Sequence, residues 1–255
     1  MILDEIVAEK RLEHGRRDPV VLAELWREVA ALPPARPFAD AIKQPGTLRA
    51  IAEFKRRSPS AGEIRPGADP ADIAVRYERA GAAAISVLTD ARFFDGSSAD
   101  LRAAHAAAGL PVLRKDFLLD ERDLLQARLA GADAVLLIVR ILDAATLAAL
   151  IGVAARAGMA ALVEAHADGE IEAALAAGAS IIGVNHRDLD TLAIDLTLSA
   201  RARALAPDAI LVGESGIIVR SHMEMMRSHN IDAVLIGESL LRAPDPGAAL
   251  AELLA

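Results

Sequence analysis

One phrase recurs along this chain and limits what it can fold into. It reads AGAAAISVL from Ala80, AGADAVLLI from Ala130, AGASIIGVN from Ala177 and, in degenerate form, HNIDAVLIG from His229, with starts 50, 47 and 52 residues apart. In each copy a helix-like stretch runs up to a Gly, or to Asn230, that suits the left-handed position past a helix end, and a short apolar run follows. The phrase is a joint from helix to strand. A second set of apolar runs lies between the joints: IAEFK from Ile51, PVLRK from Pro111, AALVE from Ala160 and ILVGE from Ile210. Interleaved, the two sets predict eight strands starting near residues 51, 84, 111, 133, 160, 181, 210 and 232, each followed by a segment of helical character. Such alternation specifies a parallel sheet with right-handed crossovers, and eight units close naturally into a barrel. The expected fold is therefore α/β, a single (β/α)8 TIM barrel over residues 1–255 in which residues 1–48 form an N-terminal helical extension and not a second domain. An open doubly wound sheet is the structural alternative. It is disfavoured because the period runs uninterrupted and no glycine-rich dinucleotide fingerprint or GxxxxGK[ST] loop follows any strand.

Composition narrows the function. Hydrophobic residues make up 53% of the chain and aromatics only 3%, which suits a large core of helices on buried parallel strands. The net charge of −8 and the lack of a dense basic run argue against a nucleic-acid partner. An anion held by such an acidic chain needs a local positive site, and the lysines are few: Lys10, Lys43, Lys55 and Lys115. The absence of cysteine rules out disulfides and thiol catalysis and fits a reducing compartment. The N-terminal MILDEIVAEKR lacks the order of a signal peptide, and the apolar stretch Ala144–Ala155 is too short to span a bilayer, so a cytoplasmic protein with no membrane partner is expected.

In a barrel of this kind chemistry sits at the C-terminal ends of the strands. The predicted strands end in Glu53 and Lys55, Lys115, Glu164, Asn185, and Glu214 followed by Ser215-Gly216. Any one of these could be an ordinary solvated residue where strand meets loop. Together, residues of both charges at the ends of the first, third, fifth and seventh strands suggest one shared mouth. Lysine and glutamate in a partly desolvated site can exchange protons near neutral pH. A metal is not expected, because lysines compete with a cation and the histidines at 14, 105, 166, 186, 222 and 229 show no ligand spacing.

The segments ESGI (214–217) and IGES (236–239) offer backbone N–H groups that can approach an anion, at the loops where such barrels bind phosphate. The following SLLRA, stopped by Pro244 and Pro246, would be the accompanying short helix. Plain glycine turns are the alternative for either loop. RRSPSAGEIRPG after the first strand is long enough for a lid or a mobile surface loop. Phe94, Phe117 and Leu189 lie just beyond strands and could line a pocket for a flat ring, or belong to the core.

On these residues the chain resembles indole-3-glycerol-phosphate synthase. The likeness runs nearly end to end, from ILDEIVAEKR through IAEFKRRSPSAGEI, SVLTDARFFDGS, PVLRKDFLLDE, GADAVLLI, ALVEAH, IIGVNHRDL and GESGI to IGESLLRAPDPGAAL. KRRSPSAG, LRKDF and NHRDL are its most specific segments. The resemblance implies that 1-(2-carboxyphenylamino)-1-deoxyribulose 5-phosphate is closed to a pyrrole ring with loss of carbon dioxide and water, without cofactor or metal. It implies Lys115 as general acid, Glu164 in the proton transfers of dehydration, and Lys55 holding the substrate and serving as a second candidate acid. Glu53, Asn185 and Glu214 would orient the charges. Ser58, Arg187, Ser215, Gly216, Gly237 and Glu238 match substrate- and phosphate-binding positions, and Pro59, Phe94, Phe117, Leu136 and Leu189 the apolar pocket. The extension would cover the barrel mouth, and a monomer or weak homo-oligomer is expected. Two departures stand out: His186 replaces a usual Asn or Ser, and the fourth joint lacks its glycine.

Two other readings differ in what they need. The isomerase acting one step earlier would use a cysteine as general base, which this chain lacks. A silent phosphate-binding barrel or scaffold subunit would have no need of a matched acid and base.

Overall fold

A computed structural model of the chain describes residues 2–17, 19, 21–188 and 191–255. Eight parallel strands close into a barrel in chain order: β1 (Arg49–Phe54), β2 (Ala84–Leu88), β3 (Val112–Lys115), β4 (Ala134–Ile138), β5 (Ala160–Ala165), β6 (Ile181–Asn185), β7 (Ile210–Glu214) and β8 (Ala233–Ile236). The ring shuts where Ala50 pairs with Val234. Every start lies within two residues of the expected one, and the sheet is a barrel, not an open doubly wound layer.

Helices α1 (Ile2–Gly15), α2 (Leu22–Ala30) and α3 (Phe38–Ile42) precede β1. Helices then follow each strand: α4 (Pro70–Arg79), α5 (Ala91–Phe94) with α6 (Ser98–Ala107), α7 (Glu121–Leu129), α8 (Ala144–Arg156), α9 (Asp168–Ala176), α10 (Leu198–Leu205), α11 (Arg220–Ser228), and α12 (Glu238–Arg242) with α13 (Pro246–Leu254). The joints take the backbone they were read for. Gly81, Gly131 and Gly178 have φ of 91°, 96° and 91°, and Asn230 reaches 55° in the joint that lacks glycine. Asn is one of the few other residues to visit this region readily, which is why that departure is tolerated. The short helix expected as SLLRA ends at Arg242, and Pro246 opens α13 at a position where its missing N–H costs nothing.

Strand alternation sorts the side chains into two compartments. Ala52, Phe54, Val135, Leu137, Val163 and Ile182 face outward against the helices. Ile51, Leu113, Leu136, Leu162, Val212 and Leu235 face inward, joined by Phe38 and Ile42 of α3 near the strand starts, which stopper that end. The same parity points Glu53, Lys115, Glu164, Asn185 and Glu214 into the barrel at the other end.

Buried charges tie α1 to that mouth. Lys10 is almost fully buried, with its ammonium 2.9 Å from Asp90 and 3.2 Å from Asp116, the residues that follow β2 and β3. Burial alone would lower its pKa, but Asp116 and Asp90 outweigh it and hold the ammonium well above the usual lysine value. Burial likewise works against ionised Asp116, yet Arg114 and Lys10 bring it down to about 2. Further along α1, His14 lies 3.1 Å from Asp120 and 3.2 Å from Asp123 at the start of α7, and Arg17 also bonds Asp123. Replacing Lys10 with methionine strands two buried carboxylates, at a cost of about 3–5 kcal/mol for a broken buried pair. We expect Lys10→Met to lower Tm by on the order of 10 °C in calorimetry, and a Lys10→Arg variant to recover much of the loss.

Candidate active site

The inward residues at the strand ends meet around one ammonium. Lys115, the last residue of β3, lies 3.6 Å from Glu53, 3.8 Å from Glu164 and 3.4 Å from Glu214. These residues come from β1, β3, β5 and β7, the alternate strands that normally supply one packed layer of a barrel interior. Here that layer is charged. Lys55, one residue past β1, closes on the other oxygen of Glu53 at 2.8 Å. From β6, the Asn185 amide donates to Glu164 Oε1 at 3.2 Å, while its carbonyl accepts the Arg187 backbone N–H at 3.1 Å. The buried Tyr77 hydroxyl donates to the Glu53 carbonyl at 3.1 Å and steadies the end of β1.

Small residues on β6 and just past β8 leave room for this layer. A Cβ built on Gly183 of β6 would come within 2.2 Å of a Glu214 oxygen, and one on Gly237 within 2.6 Å of a Glu53 oxygen.

Burial and pairing push the groups apart in acidity. For Lys115, burial favours the neutral amine, but Glu53, Glu214 and Glu164 outweigh it and hold the ammonium far above the ordinary value. Burial opposes ionised Glu164, yet Lys115, His166 and Asn185 carry it well below the carboxylate range. Glu53 is lowered too, burial being overcome by Lys55 and Lys115. Glu214 goes the other way: burial and the neighbouring Glu164 charge push it up to about 8. Both its oxygens are buried and lack a hydrogen-bond partner among the described residues. At neutral pH the layer therefore holds Lys115 charged, Glu53 and Glu164 ionised, and Glu214 protonated.

Above the charged layer opens a cavity of about 660 Å³. Its walls include Glu53, Lys55, Ser58, Pro59, Lys115, Glu164, Asn185, Arg187 and Glu214, with Phe94, Phe117 and Leu136 on the apolar side and Ser215, Gly216, Gly237 and Glu238 at the far end. Leu189 lies outside the described residues. The rings of Phe94 and Phe117 stand 6.1 Å apart between centroids, tilted by 36°. Ile2, Leu3 and Ile6 of α1 complete the apolar wall.

Ser215 and Gly216 take successive left-handed conformations, with φ of 64° and 76°, and Ile194 packs where a Gly216 side chain would begin. Gly237 caps α12, whose first-turn N–H groups have no partner within the helix. The Glu238 side chain pairs with Arg242 at 3.0 Å, one helical turn on. The loop after β1 forms a short hairpin that pairs Arg57–Ser58 with Gly62–Glu63. It is fastened at several points: Arg56 grips Asp100 with both terminal guanidinium nitrogens, Arg65 donates to the Leu241 and Ala243 carbonyls, and Arg242 donates to the Ala61 carbonyl.

His186 follows β6 in the loop but is buried, turned away from the cavity between the Ser215 carbonyl at 3.0 Å and the Ser199 hydroxyl at 2.6 Å. It binds the β6 and β7 loops to α10. Sequence reasoning missed Asp116, Ser239 and Arg242 as cavity residues. Asp116 follows Lys115 directly, and a strand-end carboxylate beside the central lysine was a usable signal.

Comparison with known proteins is decisive. The family model described as indole-3-glycerol phosphate synthase matches residues 3–253. The chain belongs to that family. It is 48% identical to indole-3-glycerol phosphate synthase 2 of Streptomyces coelicolor, over 99% of this chain and 98% of the relative. Identity to the indole-3-glycerol phosphate synthases of Aromatoleum aromaticum and Roseiflexus sp. is 46% and 44%, each over 99% of this chain and at least 97% of theirs. The resemblance carried by KRRSPSAG, LRKDF and NHRDL is thus borne out. Among solved structures, 3-hexulose-6-phosphate synthase superposes with a TM-score of 0.64 at 15% identity, over 81% of this chain and 98% of that one, a likeness of fold. No helix among the described residues is long and apolar enough to cross a membrane.

In this member of the indole-3-glycerol phosphate synthase family, the raised Glu214 is expected to make stability fall as pH rises. The folded state keeps a proton that a free glutamate releases near 4.5 and gives it up only near 8. Its contribution is full below the lower value and lost as pH rises through the upper one, with a slope of up to about 1.4 kcal/mol per pH unit. Glu214→Gln mimics the protonated carboxyl and has no proton to lose. Melting curves from pH 5 to 9 should show the wild type losing stability relative to Glu214→Gln as pH rises. Parallel curves would place Glu214 as an ionised group throughout.

Proposed function

We propose that this chain is an indole-3-glycerol-phosphate synthase, closing the pyrrole ring of 1-(2-carboxyphenylamino)-1-deoxyribulose 5-phosphate with loss of carbon dioxide and water. The observation that carries the reading is a charged lysine held at the centre of buried carboxylates, beneath a cavity with one apolar aromatic wall. The substrate has the matching parts: an aromatic ring, a carbonyl that must gain a proton, and a phosphate.

In this reading the anthranilate ring lies against Phe94, Phe117 and Leu136, and the phosphate sits at Ser215, Gly216 and the start of α12. Attack of the ring carbon on the carbonyl carbon builds negative charge on the carbonyl oxygen. Lys115 stabilises that charge and donates its proton, giving a hydroxyl. The iminium formed on closure accepts the electron pair released as the carboxylate departs as carbon dioxide. The hydroxyl then leaves as water, with Glu164 in the accompanying proton transfers. Lys55 holds the carboxylate or phosphate side of the substrate and is the second candidate for an acid. Position alone does not rank the two lysines, so their division of labour is a question for kinetics.

The purified protein, with no added metal or cofactor, should convert the carboxyphenylamino-deoxyribulose phosphate to a product with indole fluorescence. No turnover by the wild type would refute the reading. Lys115→Ala should lower kcat by roughly 10²- to 10⁴-fold while KM changes far less, as expected of a group acting mainly in the transition state. A comparable rise in KM at unchanged kcat would make Lys115 a binding residue only.

A further inference from the structure

The proposed chemistry uses Glu164 but not the ring packed behind it. His166 follows β5 two residues after Glu164, so strand alternation sends both side chains to the same side. Its side chain is 1% exposed. Nε2 lies 3.1 Å from Glu164 Oε1, an ion-pair contact without hydrogen-bond geometry, and Nδ1 is hydrogen-bonded at 3.3 Å to Oε2 of Glu170, on α9. The His166 backbone N–H also donates to Glu170 Oε2, at 2.8 Å, and the other Glu170 oxygen accepts from Arg140 at 3.1 Å. The charged groups bearing on the ring are therefore Glu164 from β5, Glu170 from α9, Arg140 behind Glu170 from the turn Val139–Ile141, and Lys115 from β3 beyond Glu164.

A neutral imidazole always turns one bare lone pair outward. Between two carboxylates that lone pair would face an oxygen at one end or the other. The imidazolium, with a proton on each nitrogen, is the form that suits both neighbours. Burial pulls His166 toward neutrality, but its contacts with Glu164 and Glu170 prevail and lift its pKa to about 9.

The second point is which oxygen each contact takes. His166 and Asn185 both engage Glu164 Oε1, whereas Lys115 approaches Oε2. We propose that His166 is a positioning residue: as an imidazolium it fixes, with Asn185, one oxygen of Glu164 and so leaves Oε2, beside Lys115, as the oxygen that takes up and returns protons. This rests on the role given to Glu164 above. The device also sets basicity, because a fixed cation behind the carboxylate keeps it ionised at lower pH.

His166→Gln keeps a hydrogen-bond donor but removes the charge, and Glu170→Gln leaves the ring in place while removing one of its two anions. In His166→Gln we expect kcat to fall about 10- to 100-fold with KM within a few-fold, and the acid limb of the kcat profile to move to higher pH as Glu164 loses its neighbouring cation. In Glu170→Gln the ring should titrate at lower pH, and kcat should acquire an alkaline fall near neutrality that the wild type lacks. Nitrogen-15 NMR of the wild type should show both His166 ring nitrogens protonated at pH 7.5, a readout that holds even where a variant does not fold. A neutral tautomer at that pH, or variants with wild-type kcat and pH limbs, would overturn the inference. Absence of turnover in the wild type would instead strike at the proposed reaction, so the two failures are distinguishable.

Discussion

Everything at the mouth of this barrel depends on one buried ammonium, Lys115, and on how its charge is balanced. Bringing a cation and three carboxyl groups out of water is costly unless each is paired or neutralised. The protein uses both solutions. Glu53 is shared between Lys115 and Lys55, Glu164 is held by Lys115, Asn185 and His166, and Glu214 keeps its proton. Glu214, pushed up chiefly by burial, is thus the carboxyl of the three that the layer holds as a neutral acid. The barrel concedes an entire packing layer to this arrangement, while the apolar layer beneath it, with Ile51, Leu113, Leu162 and Val212, and the helix-facing core carry stability.

The extension before β1 belongs to the same balance. Lys10 reaches from α1 to Asp90 and Asp116, and these two do more than accept it. Asp90 caps α5, which carries Phe94, and Asp116 accepts the Phe117 backbone N–H at 2.9 Å. The pair of rings on the apolar wall therefore hangs on carboxylates that a distant helix neutralises. In the same way Gly183 and Gly237 matter for the space they leave beside Glu214 and Glu53. Fold and site share residues, so damage to one is felt in the other.

Much of this was legible in the sequence. The repeated joint gave the strand count and starts because a left-handed cap followed by an apolar run has few other meanings. The charged layer was visible because Glu53, Lys115, Glu164 and Glu214 end runs that are otherwise apolar, where a solvated loop residue would carry no such regularity. Lys10 was not legible as an anchor: it sits in a charged helix and reads as a surface residue, and its partners lie far along the chain. His166 was read as a histidine without ligand spacing, although its place two residues after Glu164 already put it on the same side of the strand. The pairing of the Glu238 carboxylate with Arg242 one helical turn on is a matter of side-chain geometry that the motif does not carry. Whether a strand-end carboxyl is ionised is likewise set by neighbours from other strands, and no local pattern encodes it.

The charge balance around Lys115 can be read directly by carbon-13 NMR of glutamate side-chain carboxyls, titrated with assignment by single substitution. Glu53 and Glu164 should remain ionised to well below the usual carboxylate range, while Glu214 should stay protonated at neutrality and titrate near 8. If all three carboxyls ionised together below pH 5, Glu214 would be a third buried carboxylate beside Lys115, and the account given for that layer would be contradicted.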